Sequence, residues 1–242
     1  MKATEYCIKT QDDAASFEKL LDQYCIEHNN IIRWPLMKLG DAYSVLKRNG
    51  RDSRCFSAYL DLYLQNIALQ KDVTIIVEEI NREYQSGTDE GFFAERMNRY
   101  IAASNTAHRI RAMWDKLMGF TVLLHWSDRY DEFCKSNSRI KAYGKIAESW
   151  IITHGISLSP DSEQWNSSWS EEICKIKDCV EFISNNFRTA EAHYVGRLWK
   201  WAFAIQRDED DPFVELIKAA NDLGDHFRKI STIISLSDAY TR

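Results

Sequence analysis

Proline and glycine are scarce in this 242-residue chain, which contains only 3 prolines and 9 glycines. No proline occurs between Pro35 and Pro160. Turns between β-strands depend on glycine, proline, asparagine and aspartate, so a sheet protein of this length would need more of them. The scarcity therefore predicts long helices joined by short loops, in an all-α fold.

Features of secreted, membrane and strongly basic proteins are also missing. The N-terminus has no apolar segment of the kind that a secretory signal requires, and the longest apolar run, residues 118–124, is too short to span a bilayer. The formal net charge of -5 argues against nucleic-acid binding through the overall charge of the protein, although a small basic cleft is compatible with it. We therefore expect a cytoplasmic protein that makes no use of a membrane.

Motifs for metals, nucleotides and nucleophiles are missing as well. The six cysteines form no Cys-x-x-Cys pair and no zinc-ligand spacing with histidines, which predicts free thiols in a reducing compartment. No glycine-rich phosphate loop and no Gly-x-Ser-x-Gly elbow is present. The acidic run 208–211 precedes Pro212 and is typical of a helix N-terminus, where carboxylates are stabilised. The sequence thus predicts no metal site and no cofactor.

Apolar residues recur at helical spacing along most of the chain. The pattern predicts helices over about 13–27, 35–48, 54–85, 90–120, 137–153, 187–206 and 212–236. A further helix, between the ranges 137–153 and 187–206, is predicted to be capped by Ser168 and Glu171. A break is expected at Ser184-Asn185-Asn186. We interpret the whole as a multi-helix bundle of about seven to eight helices, with an up-and-down core and extra N-terminal helices. Residues 1–87 are predicted to form an N-terminal helical region packed on a bundle of residues 88–242; one continuous domain is the alternative.

The predicted helix over 90–120 carries two contrasting stripes. Its apolar residues are expected to face the core: Phe93, Met97, Tyr100, Ile110, Met113, Trp114 and Leu117. Four polar residues follow at i, i+4, i+7 and i+11 and so share one side, which we call the polar ridge: Ser104, His108, Arg111 and Asp115. The polar ridge is either a solvated face with pairs such as Arg111–Asp115, or a substrate-binding surface that lines a polar cleft.

The predicted helix over 187–206 is apolar on two sides. The side expected to meet the core consists of Phe187, Tyr194, Leu198, Trp201 and Ile205. The opposite side consists of Ala192, Gly196, Trp199 and Phe203, again at helical spacing. A helix with two apolar sides is buried centrally or packs against a partner, and the small Ala192 and Gly196 permit close approach. We therefore predict an interface at these four residues.

Arg188 and His193 border this second apolar side, about 140° apart on an ideal helical wheel. Their spacing within the segment RTAEAH resembles the Arg-x(4–6)-His motif of HEPN (higher eukaryotes and prokaryotes nucleotide-binding) domains. The preceding segment NTAHRIRAMWDKL, residues 105–117, is similar to the helix that precedes this motif in some prokaryotic HEPN families. The resemblance covers roughly residues 88–236.

The resemblance implies a helical, often dimeric domain. Many members of the HEPN family are metal-independent ribonucleases in toxin, phage-defence or RNA-processing systems. It implies that His193 is the general base or acid when an RNA 2′-hydroxyl attacks the adjacent phosphate. It implies that Arg188 stabilises the charge that develops on the phosphoryl oxygens. Two copies across a dimer axis would then form a composite site without a metal or a cofactor.

Two other functions stay open at this point. The chain is alternatively a non-catalytic helical scaffold that binds a protein or RNA partner through the apolar side that contains Trp199. A third hypothesis is a small-molecule-binding helical enzyme with its site along the polar ridge.

Overall fold

The protein is described by a computed structural model over residues 8–28, 36–48, 54–81, 89–154, 174–188, 197–203 and 212–239. Within these ranges nearly every residue is helical and none lies in a strand, which confirms the prediction of an all-α, multi-helix fold. The helices are α1 (Gln11–Glu27), α2 (Leu39–Arg48), α3 (Arg54–Asn81), α4 (Asp89–His125), α5 (Tyr130–Lys135), α6 (Arg139–His154), α7 (residues 174–183), α8 (Arg197–Ala202) and α9 (Pro212–Ala239). A 3-10 turn at Ser127–Arg129 precedes α5, and a π-helical turn at Ser184–Arg188 follows α7.

Five of the eight other described helices pack on helix α4. It has 37 residues and is therefore about 56 Å long at 1.5 Å per residue. In the described part of the chain, α3, α5, α6, α8, α9 and the π-helical turn all contact it. Helix α3 runs antiparallel to α4, because Asp72 pairs with Arg109 and Asp61 pairs with Lys116.

One hydrophobic core extends from Ala14 in α1 to Phe227 in α9. The ring of Tyr59 in α3 lies 5.7 Å from that of Phe120 in α4, between centroids, and the Cys55 thiol donates to the carbonyl of Leu123. Buried side chains from both sides of position 87 thus pack together. The division into residues 1–87 and 88–242 stays a prediction.

Glu18 in α1 joins three helices and determines where α2 begins. Its Oε2 accepts the backbone N–H of Leu39 at 2.9 Å, and its Oε1 accepts the hydroxyl of Tyr63 at 2.6 Å. The first N–H groups of a helix have no partner within the helix, so a carboxylate at this point stabilises the helix start. The helix predicted from about residue 35 therefore begins at Leu39, and residues 36–38 are not helical. Pro35 lies outside the described residues.

Two features near the end of α4 differ from the prediction. The helix continues beyond residue 120 to His125, because residues 121–124 are all buried and none is a helix breaker. The short α5 is not predicted, since six residues are too few to show a helical period. Its Phe133 packs so closely on Gly119 that a Cβ at this glycine would lie 3.3 Å from Phe133 Cε1.

The core face predicted for α4 is correct in its C-terminal half and wrong near its N-terminus. The buried members are Ile110, Met113, Trp114 and Leu117. By contrast, 57% of Phe93 and 39% of Met97 is exposed. At 100° per residue these two positions lie on the side of the polar ridge and not on the side that meets the core.

The Ser184-Asn185-Asn186 sequence does not break the chain; it forms the π-helical turn that continues α7. Asn186 Nδ2 donates to the carbonyl of Phe182 at 2.9 Å, and Phe187 is fully buried, as predicted. A π-helical turn contains one more residue than an α-helical turn, and such turns are frequent at functional sites. Arg188 is the last residue of this turn.

Candidate functional site

The polar ridge meets the π-helical turn at Arg111. Arg111 Nε donates to Ser184 Oγ at 3.0 Å, and Arg111 Nη1 lies 2.6 Å from Asp115 Oδ1. Only 11% of the Arg111 side chain is exposed, compared with 35% of that of Asp115. The i,i+4 ion pair expected of a solvated face is therefore present. Because the π-helical turn covers its arginine, however, this end of the polar ridge is more than a solvated face.

Ser104 and His108 extend the polar ridge toward the N-terminus of α4. Ser104 is half-buried and His108 is exposed. From Ser104 to Asp115 the ridge is about 16 Å long at 1.5 Å per residue. It presents a hydroxyl, an imidazole, a guanidinium and a carboxylate along one side of a rigid helix, which are groups that bind polar ligands.

The backbone of Arg188 ends the turn that contacts α4, and its side chain is outside the described residues. His193, Ala192 and Gly196 also lie outside the described residues. Helix α8 follows this gap and again contacts α4, where Arg96 Nη1 donates to the carbonyl of Ala202 at 2.8 Å. The described chain on both sides of the RTAEAH segment is therefore anchored on α4.

An apolar surface continues the polar ridge toward the N-terminus of α4, in place of the core contacts predicted there for Phe93 and Met97. In α4 it consists of Phe93, Met97 and Ile101, which are 57%, 39% and 48% exposed. Trp199 and Phe203, the two described members of the predicted interface, belong to the same surface. The ring centroid of Phe203 lies 5.5 Å from that of Phe93, and Trp199 is 36% exposed. We call these five residues the apolar surface.

Helix α8 is also fixed to α9. Arg197 Nη1 lies 2.9 Å from Glu215 Oε2, and Nη2 lies 3.5 Å from Glu215 Oε1. Leu198, predicted to face the core, is fully buried. This ion pair is only partly exposed, so it is screened less than a surface pair. It holds the start of α8, four residues after His193, in a defined position.

The remaining candidate features are a metal site, the acidic run and a membrane-spanning helix. No group of three or more His, Cys, Asp or Glu side chains in the described ranges is arranged to hold a metal ion. The acidic run 208–211 lies outside those ranges. None of the described helices has the length and apolar character needed to cross a membrane.

No family model matches this chain, and no curated protein and no solved structure matches it. The candidate site consists of the polar ridge, the π-helical turn and the residues of the RTAEAH segment.

Proposed function

We propose that this chain is a HEPN-like, metal-independent endoribonuclease that works as a homodimer in a toxin, phage-defence or RNA-processing context. The observation that carries the proposal is the 3.0 Å hydrogen bond from Arg111 Nε to Ser184 Oγ. It holds the polar ridge against the turn that ends in Arg188. The polar ridge and the RTAEAH segment, which the sequence indicates separately, are therefore candidates for a single site.

The proposed reaction needs one proton-transfer group and one cation. His193 takes the proton of an RNA 2′-hydroxyl while the 2′-oxygen bonds to the adjacent phosphorus. The bond from phosphorus to the 5′-oxygen breaks, and the imidazolium returns a proton to that leaving oxygen. Arg188 stabilises the negative charge on the non-bridging oxygens. The products are a 2′,3′-cyclic phosphate end and a 5′-hydroxyl end.

The polar ridge supplies binding contacts beyond the reacting phosphate. Ser104 and His108 offer hydrogen bonds to a ribose or to a neighbouring phosphate. Arg111 is only 11% exposed and pairs with Asp115 and Ser184, so it positions the ridge against the turn. Because the chain carries a net charge of -5, RNA binding depends on such local groups and not on a general positive field.

Cleavage of RNA by the full chain in excess EDTA tests the proposal. We expect cyclic phosphate ends and a rate at least about 100-fold lower in both Arg188→Ala and His193→Ala. This is the low end of what charge-stabilising groups and general acid–base groups contribute. Arg228→Ala in α9 and His28→Ala at the end of α1 are matched controls, because they remove an exposed arginine and an exposed histidine far along the chain from the motif. Absence of cleavage by the wild type, or cleavage by both motif variants at the wild-type rate, contradicts the proposal.

The apolar surface favours a second candidate function, a non-catalytic scaffold whose surface binds another copy of the chain. Contiguous exposed apolar side chains mark interaction sites more often than scattered ones do. Trp199→Glu and Ile101→Glu are expected to reduce the mass measured by light scattering. Val77→Glu in α3 is the matched control, since Val77 and Trp199 are both 36% exposed. A wild type that is already monomeric contradicts self-association through this surface.

A further inference from the structure

A groove separate from the polar ridge opens between α1, α3 and α4. Its volume is about 510 Å³, which is within the range of small-molecule sites in proteins. Leu21 of α1 and Leu64, Ile67 and Ala68 of α3 form its apolar walls. An apolar cavity of this size with a few polar groups at one edge has the usual composition of a ligand site.

The polar edge of the groove carries two cations and one carboxylate. Arg109 Nε donates to Asp72 Oδ2 at 2.8 Å, and Arg109 Nη1 donates to Gln65 Oε1 at 3.0 Å. These two bonds hold the guanidinium in place while 30% of the Arg109 side chain stays exposed. Lys71, which is exposed, adds a second positive charge. Because Asp72 balances only one of the cations, the edge is net positive and favours an anionic group.

An aromatic side chain forms the α1 side of the groove. The ring of Tyr24 stacks on that of His28 with centroids 4.0 Å apart and planes 23° apart. His28 Nδ1 lies 2.9 Å from the carbonyl oxygen of Tyr24, which holds this stack together. A tyrosine ring fixed in this way offers a flat surface on which another aromatic ring can pack.

The dimensions of the groove favour a small molecule over a partner helix. The part of α3 that lines it, from Leu64 to Asp72, is about 12 Å long at 1.5 Å per residue. A docked helix needs anchors at i, i+4 and i+7 with further contacts beyond them. A two-ring molecule with one charged group fits within this length.

We propose that the groove binds a small aromatic monoanion of the aryl carboxylate class. Its rings pack on Tyr24 and on the apolar walls, and its carboxylate lies at Lys71 and Arg109. Arg109 and the polar ridge lie on different sides of α4, so the groove is a second site. Its existence does not depend on the proposed ribonuclease activity.

Titration calorimetry of the 242-residue chain with 2-naphthoate tests this proposal. We expect saturable binding with a dissociation constant below about 1 mM. Lys71→Glu is expected to weaken binding at least about 10-fold, because it reverses the charge at the edge. Lys145→Glu, the same charge change at an exposed position of α6, is the matched control and should bind like the wild type.

Two further measurements distinguish a site that recognises an anion from a groove that binds apolar molecules without regard to charge. The neutral analogue 2-naphthamide should bind at least about 10-fold more weakly than 2-naphthoate, since it cannot pair with the cations. Ala68→Trp should abolish binding by filling the groove; an unchanged circular dichroism melting curve confirms that this variant folds. The proposal is overturned if 2-naphthoate does not saturate, if the amide binds as tightly, or if Lys71→Glu binds like the wild type.

Discussion

At the scale of single residues, Glu18 links the three N-terminal helices. Its carboxylate is half-buried and accepts two hydrogen bonds, from Leu39 and from Tyr63. Hydrogen bonds to a charged group contribute about 1.5–3 kcal/mol, and removing the acceptor leaves two donors without a partner.

We expect Glu18→Ala to lower the free energy of unfolding by about 2–3 kcal/mol, measured by urea denaturation. Tyr63→Phe removes only one of the two bonds and should cost about 1 kcal/mol. Glu27→Ala is the matched control, because Glu27 is an exposed residue of the same helix and accepts a hydrogen bond from Gln23 within that helix. If Glu18→Ala unfolds at the same urea concentration as Glu27→Ala, the carboxylate does not join the helices as described.

Tyr59 gives the protein a pH dependence on the alkaline side. Its hydroxyl donates to the carbonyl of Met37 at 2.6 Å. Burial first, and then the charges of Tyr63 and Glu18, raise the pKa of Tyr59 well above its ordinary value of 10.0. The folded state thus holds this proton more tightly than the unfolded chain does, so the stabilisation is complete below pH 10 and is lost as the pH rises beyond it.

We therefore expect the free energy of unfolding to fall as the pH increases above 10, and to fall less steeply in Tyr59→Phe. Urea denaturation at a series of alkaline pH values measures the two slopes. Tyr24→Phe, which removes a hydroxyl from a side chain that is 38% exposed, is the control. Identical slopes in Tyr59→Phe and the wild type would show that Tyr59 is not the group responsible.

At the scale of helices, the contact between α4 and α5 allows little extra volume. A Cβ at Gly119 would lie 3.3 Å from Phe133 Cε1 and 3.7 Å from Tyr130 Cε2. Alanine at this position gains up to about 1 kcal/mol in helix propensity, which offsets a small shift of the Phe133 ring. Valine adds two further carbon atoms beside the same two rings, and overpacking of this kind costs about 1–3 kcal/mol.

Gly119→Ala should therefore unfold within about 1 kcal/mol of the wild type, whereas Gly119→Val should be less stable by about 1–3 kcal/mol. Thermal unfolding followed by circular dichroism separates the two variants. A valine variant as stable as the alanine variant would mean that α5 does not pack on α4 at this point.

The helices themselves could be predicted because helical periodicity and the scarcity of breakers are local properties. The starting residue of α2 could not be predicted from local sequence, because the capping carboxylate of Glu18 comes from a different helix. The same is true of the π-helical turn, since the Arg111 side chain that contacts it lies 73 residues away in the sequence. Tertiary contacts thus determine these local structures.

The apolar surface is a different case, because the sequence contained the necessary information. At 100° per residue, Phe93, Met97 and Ile101 lie within about 80° of the polar ridge residues on α4. The prediction of a single core face for all apolar residues of this helix was therefore wrong for Phe93 and Met97. A single side of α4 that changes from apolar to polar along its length is therefore predictable, whereas the roles of Arg188 and His193 stay predictions.

At the scale of the whole molecule, the site and the N-terminal helices depend on the same helix. The side of α4 opposite the polar ridge packs on α3, through the contact of Phe120 with Tyr59 and the ion pair of Arg109 with Asp72. Without α3, this side of α4 would lose its buried contacts, and most of the stability of a helix in a protein comes from such tertiary packing.

This dependence predicts the outcome of removing residues 1–87. The fragment 88–242 would expose the buried residues of α4 that contact α3, and a newly exposed apolar stripe promotes aggregation. We expect the fragment to aggregate or to lose its cooperative thermal transition, whereas the full chain should unfold in one transition that circular dichroism and tryptophan fluorescence report at the same temperature. Size-exclusion chromatography and both spectroscopies measure this directly. A monomeric fragment that unfolds cooperatively would instead establish residues 1–87 and 88–242 as separate domains, and the polar ridge would then be supported by the C-terminal helices alone.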